Sequence, residues 1–120
     1  MRICITTTGT DLDAQVDAVF GRARYFLLVD PETLEVEAIE NGPGAHGAGV
    51  QAAQTMVDKE VGTVLTGNVG PNAFQGLTAA GIQIHICAKG TARDALAAYE
   101  AGALENPIGP TSQGHGGGRR

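Results

Sequence analysis

The sequence predicts a single α/β domain with a mixed sheet of about five strands, one antiparallel hairpin at the sheet edge and helices packed on the sheet. Three observations lead to this fold class. The chain has 120 residues, of which 42% are hydrophobic, so it can form one core but is too short for two domains. Strand-like and helical segments alternate in the second half, which is the pattern of a parallel sheet. In the first half a short turn joins two strand-like segments, which indicates a hairpin.

The first half of the chain contains the predicted hairpin. The predicted strands of this half lie at residues 2–7, 24–30 and 34–40. A turn at residues 31–33 joins the second strand to the third, and acidic residues at alternate positions of the third strand are typical of a sheet edge. Between the first two strands, the apolar residues Leu12, Val16 and Phe20 have helical spacing. We therefore expect a short helix there, ending at Gly21.

The second half of the chain alternates helices with strands. The predicted helices lie at residues 50–60, at residues 71–80 and from Thr91 onward, and the predicted strands at residues 63–66 and 82–86. Gly62 is expected to close the first of these helices, and Asp94 follows Thr91 by three residues, as in a capping box. A strand, a helix and a returning strand form a right-handed crossover. We expect residues 1–106 to form the folded domain and the Gly-rich segment 107–120 to be a disordered tail.

Charge and composition exclude several classes of function. The net charge is −5, and an acidic surface repels phosphate backbones, which argues against binding of nucleic acid. No apolar run has the roughly 18 residues of a membrane span, and no signal-peptide pattern is present, so we expect a cytoplasmic protein without membrane contact. There is no nucleophile elbow, no Walker motif and no acid in the first strand for two-metal hydrolysis. The sequence therefore predicts that the protein is not an enzyme.

The two cysteines, Cys4 and Cys87, are predicted to be reduced thiols. If one strand separates theirs, a spacing of about 4.8 Å per strand puts their backbones about 10 Å apart, beyond the roughly 7 Å that a disulfide tolerates. Cys4 is expected to be inert inside its strand, whereas Cys87 ends the last strand and could be reachable. Cys87 and His46, which lies in the glycine-rich loop 41–49, are therefore the weak candidates for metal ligation.

The clearest local signal follows the strand at residues 63–66. Its residues are Gly67, Asn68, Gly70, Pro71 and Asn72. A proline at the first helical position, preceded by a glycine, leaves backbone N–H groups uncapped at a helix start, where the helix dipole also favours negative charge. The segment predicts an anion cradle, the alternative being a tight turn with no further role. Thr8 and Gly9 follow the first strand and reach the same edge of a parallel sheet, where ligands of such folds bind.

Two cations precede the second strand, Arg22 and Arg24. They could supply the positive charge that an otherwise acidic domain lacks, although a solvated strand entry would have the same composition. Gly21 and Phe20 lie immediately before them, and Phe20 is equally suited to the core and to a pocket wall. We include all four as candidate binding residues.

A resemblance to a known family rests on four segments. These are FGRARYFLLVD, GAHGAG, LTGNVGPNAFQGLTAAGI and ALAAYEAGAL. Together they resemble the dinitrogenase iron-molybdenum cofactor biosynthesis family, and the likeness runs from Met1 to about Leu104. The resemblance implies a ribonuclease H-like fold with the sheet order 3-2-1-4-5.

The resemblance also implies a ligand, which is a preformed molybdenum-containing sulfide cluster of the molybdenum-copper or the iron-molybdenum type. The residues of this chain that match the family's motifs are Phe20, Gly21, Arg22, His46, Gly67, Asn68, Gly70, Pro71 and Asn72. No cysteine lies in these loops. The sequence therefore favours capture of an anionic cluster by N–H groups, arginines and apolar contacts over ligation by thiolates.

The leading hypothesis is a small protein that carries or stores such a cluster and exchanges it with partner proteins. Two alternatives stay open. Residues 6–10 loosely resemble a flavodoxin phosphate turn, which would indicate a flavin electron carrier, but only 4% of the residues are aromatic and none is Trp. A metal-free regulatory or interaction module would instead use the acidic surface and the tail.

Overall fold

A computed structural model describes residues 2–41, 48–87 and 90–106, with the backbone alone for residues 48–51. The strands are β1 (Arg2–Thr7), β2 (Tyr25–Val29), β3 (Val36–Glu40), β4 (Val61–Thr66) and β5 (Gln83–Ile86). The helices are α1 (Ala48–Asp58), α2 (Pro71–Ala79) and α3 (Ala92–Glu100), and a single 3₁₀ turn covers Phe20–Arg22. The predicted strands and main helices are all present, with bounds that differ by a few residues.

The sheet has the order β3-β2-β1-β4-β5. Strand β2 pairs antiparallel with both β1 and β3, whereas β4 pairs parallel with β1 and β5 parallel with β4. The predicted mixed sheet with an antiparallel hairpin at its edge is therefore confirmed, as is the strand order that the family resemblance implied.

This topology sorts the loops into two ends. We call one end the rim, where β1, β3, β4 and β5 end and β2 begins. The rim consists of residues 7–10, 17–24, 41, 66–72 and 87. We call the opposite end the base, and it consists of Arg2, residues 30–32, Glu37 and residues 58–63.

Apolar residues cover both faces of the sheet, which makes the domain a three-layer α/β/α structure. On one face, Ala53 and Met56 of α1 and Leu77 of α2 are buried in a cluster with residues of the sheet. On the other face, Ala95 and Leu96 of α3 are buried in a second cluster. A sheet covered on both faces buries both sides of its central strands, and the run Ile3–Thr7 of β1 is accordingly buried at every position.

Helix α3 begins as the sequence predicts. The Thr91 hydroxyl accepts a hydrogen bond from the Asp94 N–H at 3.1 Å, and the Asp94 carboxylate accepts one from the Thr91 N–H at 3.1 Å. This is a complete capping box. Ala92 and Leu96 are buried, and Tyr99 packs partly buried against the same cluster, as the spacing predicted.

The predicted helix between β1 and β2 is wrong. The segment makes its backbone hydrogen bonds to other parts of the chain, from Asp17 N–H to the Thr6 carbonyl and from Val16 N–H to the Gly90 carbonyl. Its apolar residues also separate, since Leu12 and Val16 pack in the α3 cluster and Phe20 in the α1/α2 cluster. The segment therefore crosses the rim from one face of the sheet to the other, which the local spacing could not reveal.

The predicted end of the helix at Gly62 is also wrong. Helix α1 ends at Asp58, and Gly62 lies inside β4. Glu60, with φ of 61°, takes the left-handed conformation after the helix that a glycine would take more easily.

The loop with His46 and the tail at 107–120 lie outside the described residues, so their predicted conformations stay predictions. Within the described part of the chain, no helix has the length and apolar character needed to span a membrane.

Candidate functional site

The rim brings together most of the segments that the sequence singled out. Arg22 and Arg24 lie before β2, Asn68 and Asn72 follow β4, and Thr8 follows β1. These segments are far apart in sequence, and they meet because parallel strands end at the same edge, while the antiparallel strand β2 begins there. His46 belongs to residues 42–47, which are outside the described part.

Two of these segments are in direct contact. The Phe20 N–H donates to the Asn68 carbonyl at 3.0 Å, and the Asn68 Nδ2 donates to the Ala18 carbonyl at 3.3 Å. A Cβ on Gly67 would lie 2.5 Å from the Ala18 carbonyl oxygen, which is closer than non-bonded atoms approach. Gly67 is therefore required by the packing of backbone on backbone, whatever else the segment does.

The start of α2 has no side-chain cap. Gly70 is the N-cap residue and makes no side-chain hydrogen bond, and Pro71 occupies the first helical turn. Asn72 and Pro71 are exposed, whereas Ala73 is buried. The start of α2 is therefore uncapped and exposed, as the sequence predicted, and its binding of an anion stays a prediction.

The side chains of Arg22 and Arg24 are exposed at the rim. Among the described residues, neither guanidinium forms an ion pair. At the base, by contrast, the Arg2 Nη1 lies 2.8 Å from Glu37 Oε1 and the Lys59 Nζ lies 3.6 Å from Glu37 Oε2. The rim therefore has cationic charge that the described part of the protein does not neutralise.

The backbone around these arginines is fixed by two side chains that the sequence analysis did not select, Asp17 and Asn41. The Asp17 carboxylate accepts hydrogen bonds from the N–H groups of Ala18 and Arg24, both at 2.9 Å. The Asn41 Nδ2 donates to the carbonyls of Gly21 and Ala23 at 3.1 and 2.9 Å. No local motif marks these two residues, because their roles exist only once residues 17–24 form a closed loop.

The turn after β1 offers fewer free groups than the sequence suggested. The Thr6 hydroxyl is bonded to the Thr66 hydroxyl and to the Asp17 carbonyl, and the Thr7 hydroxyl donates to the Gly9 carbonyl. The Thr8 N–H donates to the Gln15 carbonyl at 2.9 Å. Within the described residues, no hydrogen bond joins Thr8 or Gly9 to residues 67–72. The hydroxyls that a flavin phosphate would need are thus largely used within the protein.

Two candidate residues are buried. The Phe20 side chain has no exposed surface and its ring packs 5.5 Å from that of Phe26, so it belongs to the core and not to a pocket wall. Cys87 was expected to be reachable, but it is 4% exposed, and burial raises the pKa of its thiol to about 11. At neutral pH Cys87 is a protonated thiol, which is a poor metal ligand.

The remaining donor groups of the described residues do not assemble a metal site. No group of three or more His, Cys, Asp or Glu side chains comes together there. Cys4 is fully buried, burial raises the pKa of its thiol, and both cysteines are free, as predicted. His85 packs edge-to-face against Tyr99 with 5.0 Å between ring centroids, and burial lowers its pKa.

Two surface depressions lie at the base and not at the rim. One, of about 580 Å³, is lined by Asp30, Glu32, Asp58, Glu60 and neighbouring residues, and the other, of about 480 Å³, by residues that include Thr63 and Tyr99. The first is lined by four carboxylates and two cations, and these cations already pair with Glu37. An inorganic anion would therefore find less free positive charge there than at the rim.

Comparison with known proteins identifies relatives of the chain. The family model for the dinitrogenase iron-molybdenum cofactor matches residues 1–102. The apo form of the orange protein from Desulfovibrio gigas superposes with a TM-score of 0.86 at 42% sequence identity, over 91% of this chain and 94% of that protein. The NMR structure of a Thermotoga protein of the DUF35 family superposes with a TM-score of 0.79 at 40% identity, over 88% of this chain and 91% of that one.

A sequence relative from Methanocaldococcus jannaschii, an uncharacterized protein, is 32% identical over 71 residues. The matched part is 55% of this chain and spans 60% of the length of that relative. Both of these solved structures are matched over more than nine-tenths of their length.

Proposed function

Because the chain belongs to the dinitrogenase iron-molybdenum cofactor family, we propose that it binds an anionic molybdenum-containing sulfide cluster at the rim. The cluster is the cargo of the protein, which carries or stores it and catalyses no reaction on it. Its metals are molybdenum with copper or molybdenum with iron, the types that the family resemblance implies. We place this function in the cytoplasm, with partner proteins that deliver the cluster and receive it.

The proposal rests on the position of two unpaired cations beside the uncapped start of α2. Two exposed guanidinium groups, Arg22 and Arg24, have no ion-pair partner among the described residues, and they adjoin an exposed helix start without a side-chain cap. The contacts of Phe20 and Ala18 with Asn68 connect the two features directly. Free cationic charge and uncapped N–H groups are both attractive to an anion, and an acidic protein has few other places with this combination.

The proposed mode of binding is non-covalent. A sulfide cluster that is already complete brings its own metal ligands, so the protein needs only to neutralise charge and donate hydrogen bonds to sulfur. Arg22 and Arg24 supply the charge, and the N–H groups at Gly70 and Asn72 supply donors at the start of α2. The buried, protonated Cys87 takes no part.

The other candidate residues have lesser roles in the proposal. Gly67 allows the backbone contact described above, the Gly21 carbonyl accepts from Asn41, and Phe20 supports the loop from the core. Thr8 and Gly9 lie at the margin of the rim. His46 follows Asn41 in the sequence by five residues, and we propose it as a contact from the loop that leaves β3 at the rim.

The test compares two double variants of the full chain, each of which removes two positive charges. Tetrathiomolybdate, with and without copper ions, is the probe, and binding is followed by its visible absorption and by metal analysis after gel filtration. Arg22→Gln/Arg24→Gln should weaken binding by about tenfold or more at low salt, because it removes the unpaired cations. Arg2→Gln/Lys59→Gln, which changes the net charge equally at the base, should weaken binding by less than about twofold, since it acts only through screened long-range charge.

Equal effects of the two pairs would contradict the proposed site, because they would show that only the net charge matters. Absence of binding to the unaltered protein, with or without copper, would contradict the proposed cargo. In NMR spectra, the amide signals of Gly9, Arg22, His46 and Asn68 should shift on addition of the probe, while those of the base should not.

A further inference from the structure

We propose that Asp17 and Asn41 are positioning residues that hold the loop carrying Arg22 and Arg24 in the form that binds the anion. This inference rests on the proposed function, because it concerns the same two guanidinium groups. It adds residues that do not touch the cargo and that have no charge complementary to it. Their hydrogen bonds join the loop, β1 and β3 at the rim.

Asp17 joins the first and the last residues of the loop. All of its polar groups have partners: its N–H donates to the Thr6 carbonyl at 2.8 Å, and its carbonyl accepts from the Thr6 hydroxyl at 3.0 Å. One carboxylate oxygen accepts from the Ala18 N–H and the other from the Arg24 N–H, both at 2.9 Å. The two ends of the segment 17–24 are thereby joined to each other and anchored to β1.

Asn41 holds the loop from the other side. Its Nδ2 donates to the carbonyls of Gly21 and Ala23, which flank Arg22. Its backbone N–H donates to the Arg24 carbonyl at 3.0 Å, which extends the pairing of β3 with β2. Asn41 therefore bonds to the carbonyl that precedes each arginine and to the carbonyl of Arg24. Asp17 bonds to the N–H of Arg24.

The negative charge of Asp17 beside an anion site would be unfavourable for anion binding if charge alone mattered. Asp17 bonds to the backbone of the loop that carries both cations, and its negative charge lowers the local positive potential. Its presence is explained if the ordering of the loop is worth more than this electrostatic loss. A loop that is already ordered avoids the entropy cost of fixing two long side chains and their backbone when the anion binds.

The inference is tested by measuring the affinity for tetrathiomolybdate of two single variants of the full chain, Asp17→Asn and Asn41→Ala. Asparagine keeps one acceptor oxygen, so the Ala18 or the Arg24 N–H loses its partner. Although this substitution removes a negative charge, we expect binding to weaken by about three- to tenfold, because the loop must be ordered on binding. Asn41→Ala should weaken binding by a similar factor without any change of charge.

Asp30→Asn is the matched control. Asp30 also lies in a half-buried position and accepts two backbone N–H groups, from Glu32 and Thr33, but it does so at the base. This variant removes the same charge, but asparagine can keep both bonds because a single oxygen, Oδ1, accepts them. It is therefore a control for charge alone, and affinity should stay the same or increase slightly. Urea denaturation of each variant confirms that the protein is folded in the binding assay.

A double-mutant cycle tests whether Asp17 acts through the arginines. In the Arg22→Gln/Arg24→Gln background, Asp17→Asn should have no further weakening effect, because the groups it positions are gone. An equal loss in both backgrounds would overturn the positioning role, and so would tighter binding by Asp17→Asn in the unaltered protein. If the unaltered protein binds and the arginine variant is weakened but Asp17→Asn and Asn41→Ala are not, this inference fails while the proposed function stands.

Discussion

The rim and the base each have two cations but use their charged groups in different ways. At the base, Arg2 and Lys59 share the carboxylate of Glu37, and the depression beside them is lined mainly by acids. At the rim, carboxylate and amide groups bond to backbone, as Asp17 and Asn41 do. The arginines beside them are left without an ion pair in the described part of the chain.

The difference between the two ends lies in whether their cations are paired with carboxylates. The base has two depressions, but its cations Arg2 and Lys59 are paired with Glu37. The rim has cations and N–H groups that are available, because polar side chains there fix the backbone and do not pair with the charges. An anion binds where charge is both exposed and uncompensated.

Among the substitutions that compare rim and base, Gly67→Ala at the rim is expected to lower the free energy of unfolding most. The new Cβ would lie 2.5 Å from the Ala18 carbonyl oxygen, so one of two backbone segments must move. We expect the free energy of unfolding to fall by ~3 kcal/mol. Gly81→Ala, whose Cβ would meet nothing within 4 Å but whose φ is 78°, should cost only ~1 kcal/mol. Urea denaturation measures both, and equal losses would contradict the close contact at the rim.

Removal of the buried hydroxyls of Thr6 and Thr66 is expected to lower the free energy of unfolding by a smaller amount. The Thr6 and Thr66 hydroxyls lie 2.7 Å apart, and since the Thr6 hydroxyl also lies 3.0 Å from the Asp17 carbonyl, Thr6 donates there and accepts from Thr66. Thr6→Val leaves both neighbours without a partner and should cost ~2 kcal/mol, whereas Thr66→Val removes only a donor and should cost ~1 kcal/mol.

Thr63→Val is the control for these substitutions at the base. Thr63 is 8% exposed, and its hydroxyl has no hydrogen-bond partner among the described residues. The substitution should leave the free energy of unfolding unchanged or raise it slightly. If Thr63→Val were as destabilising as Thr6→Val, the hydroxyl network at the rim would have no special part in stability.

The smallest effect is expected for Glu37→Gln at the base. The hydrogen bond from Arg2, together with the charge of Lys59, holds the pKa of Glu37 below its usual range. A carboxyl whose pKa is lowered by folding stabilises the protein above its unfolded pKa and loses this contribution as the pH falls through its folded pKa. Because the side chain is 47% exposed, the loss at pH 7 should be below ~0.5 kcal/mol.

Denaturation of Glu37→Gln and the unaltered protein at several pH values provides the check. The difference between them should disappear as the pH falls below the range in which Glu37 ionises, and it should also shrink in high salt. A difference that grows on acidification would have the wrong sign for a lowered pKa.

Much of the fold was predictable because the apolar pattern of each strand and helix is local. The capping box at Thr91, the proline start of α2 and the acidic edge strand β3 depend on neighbouring residues, and each was predicted correctly. The segment 12–20 was predicted wrongly because its apolar residues enter two separate clusters on opposite faces of the sheet. The spacing of these residues matches a helix, but it serves two separate tertiary contacts and not one helical face.

The candidate site was predictable to the same degree. Parallel strand ends meet at one edge, so the segments around Arg22 and Asn68 could be assigned to the same end before their contacts were known. The burial of Cys87 and the roles of Asp17 and Asn41 were not predictable in this way. They depend on which loop covers a strand end and on which backbone groups it leaves to be bonded.

The sequence by itself determined the α/β class, the acidic charge of the chain and the uncapped start of α2, because each follows from residue type and short-range spacing. Only the tertiary structure decided which cations are neutralised and which are free. Ion pairs such as that of Arg2 with Glu37 join residues distant in sequence, and their formation depends on the register of the strands that carry them. The electrostatic character of each end of the sheet is therefore a property of the fold and not of the composition.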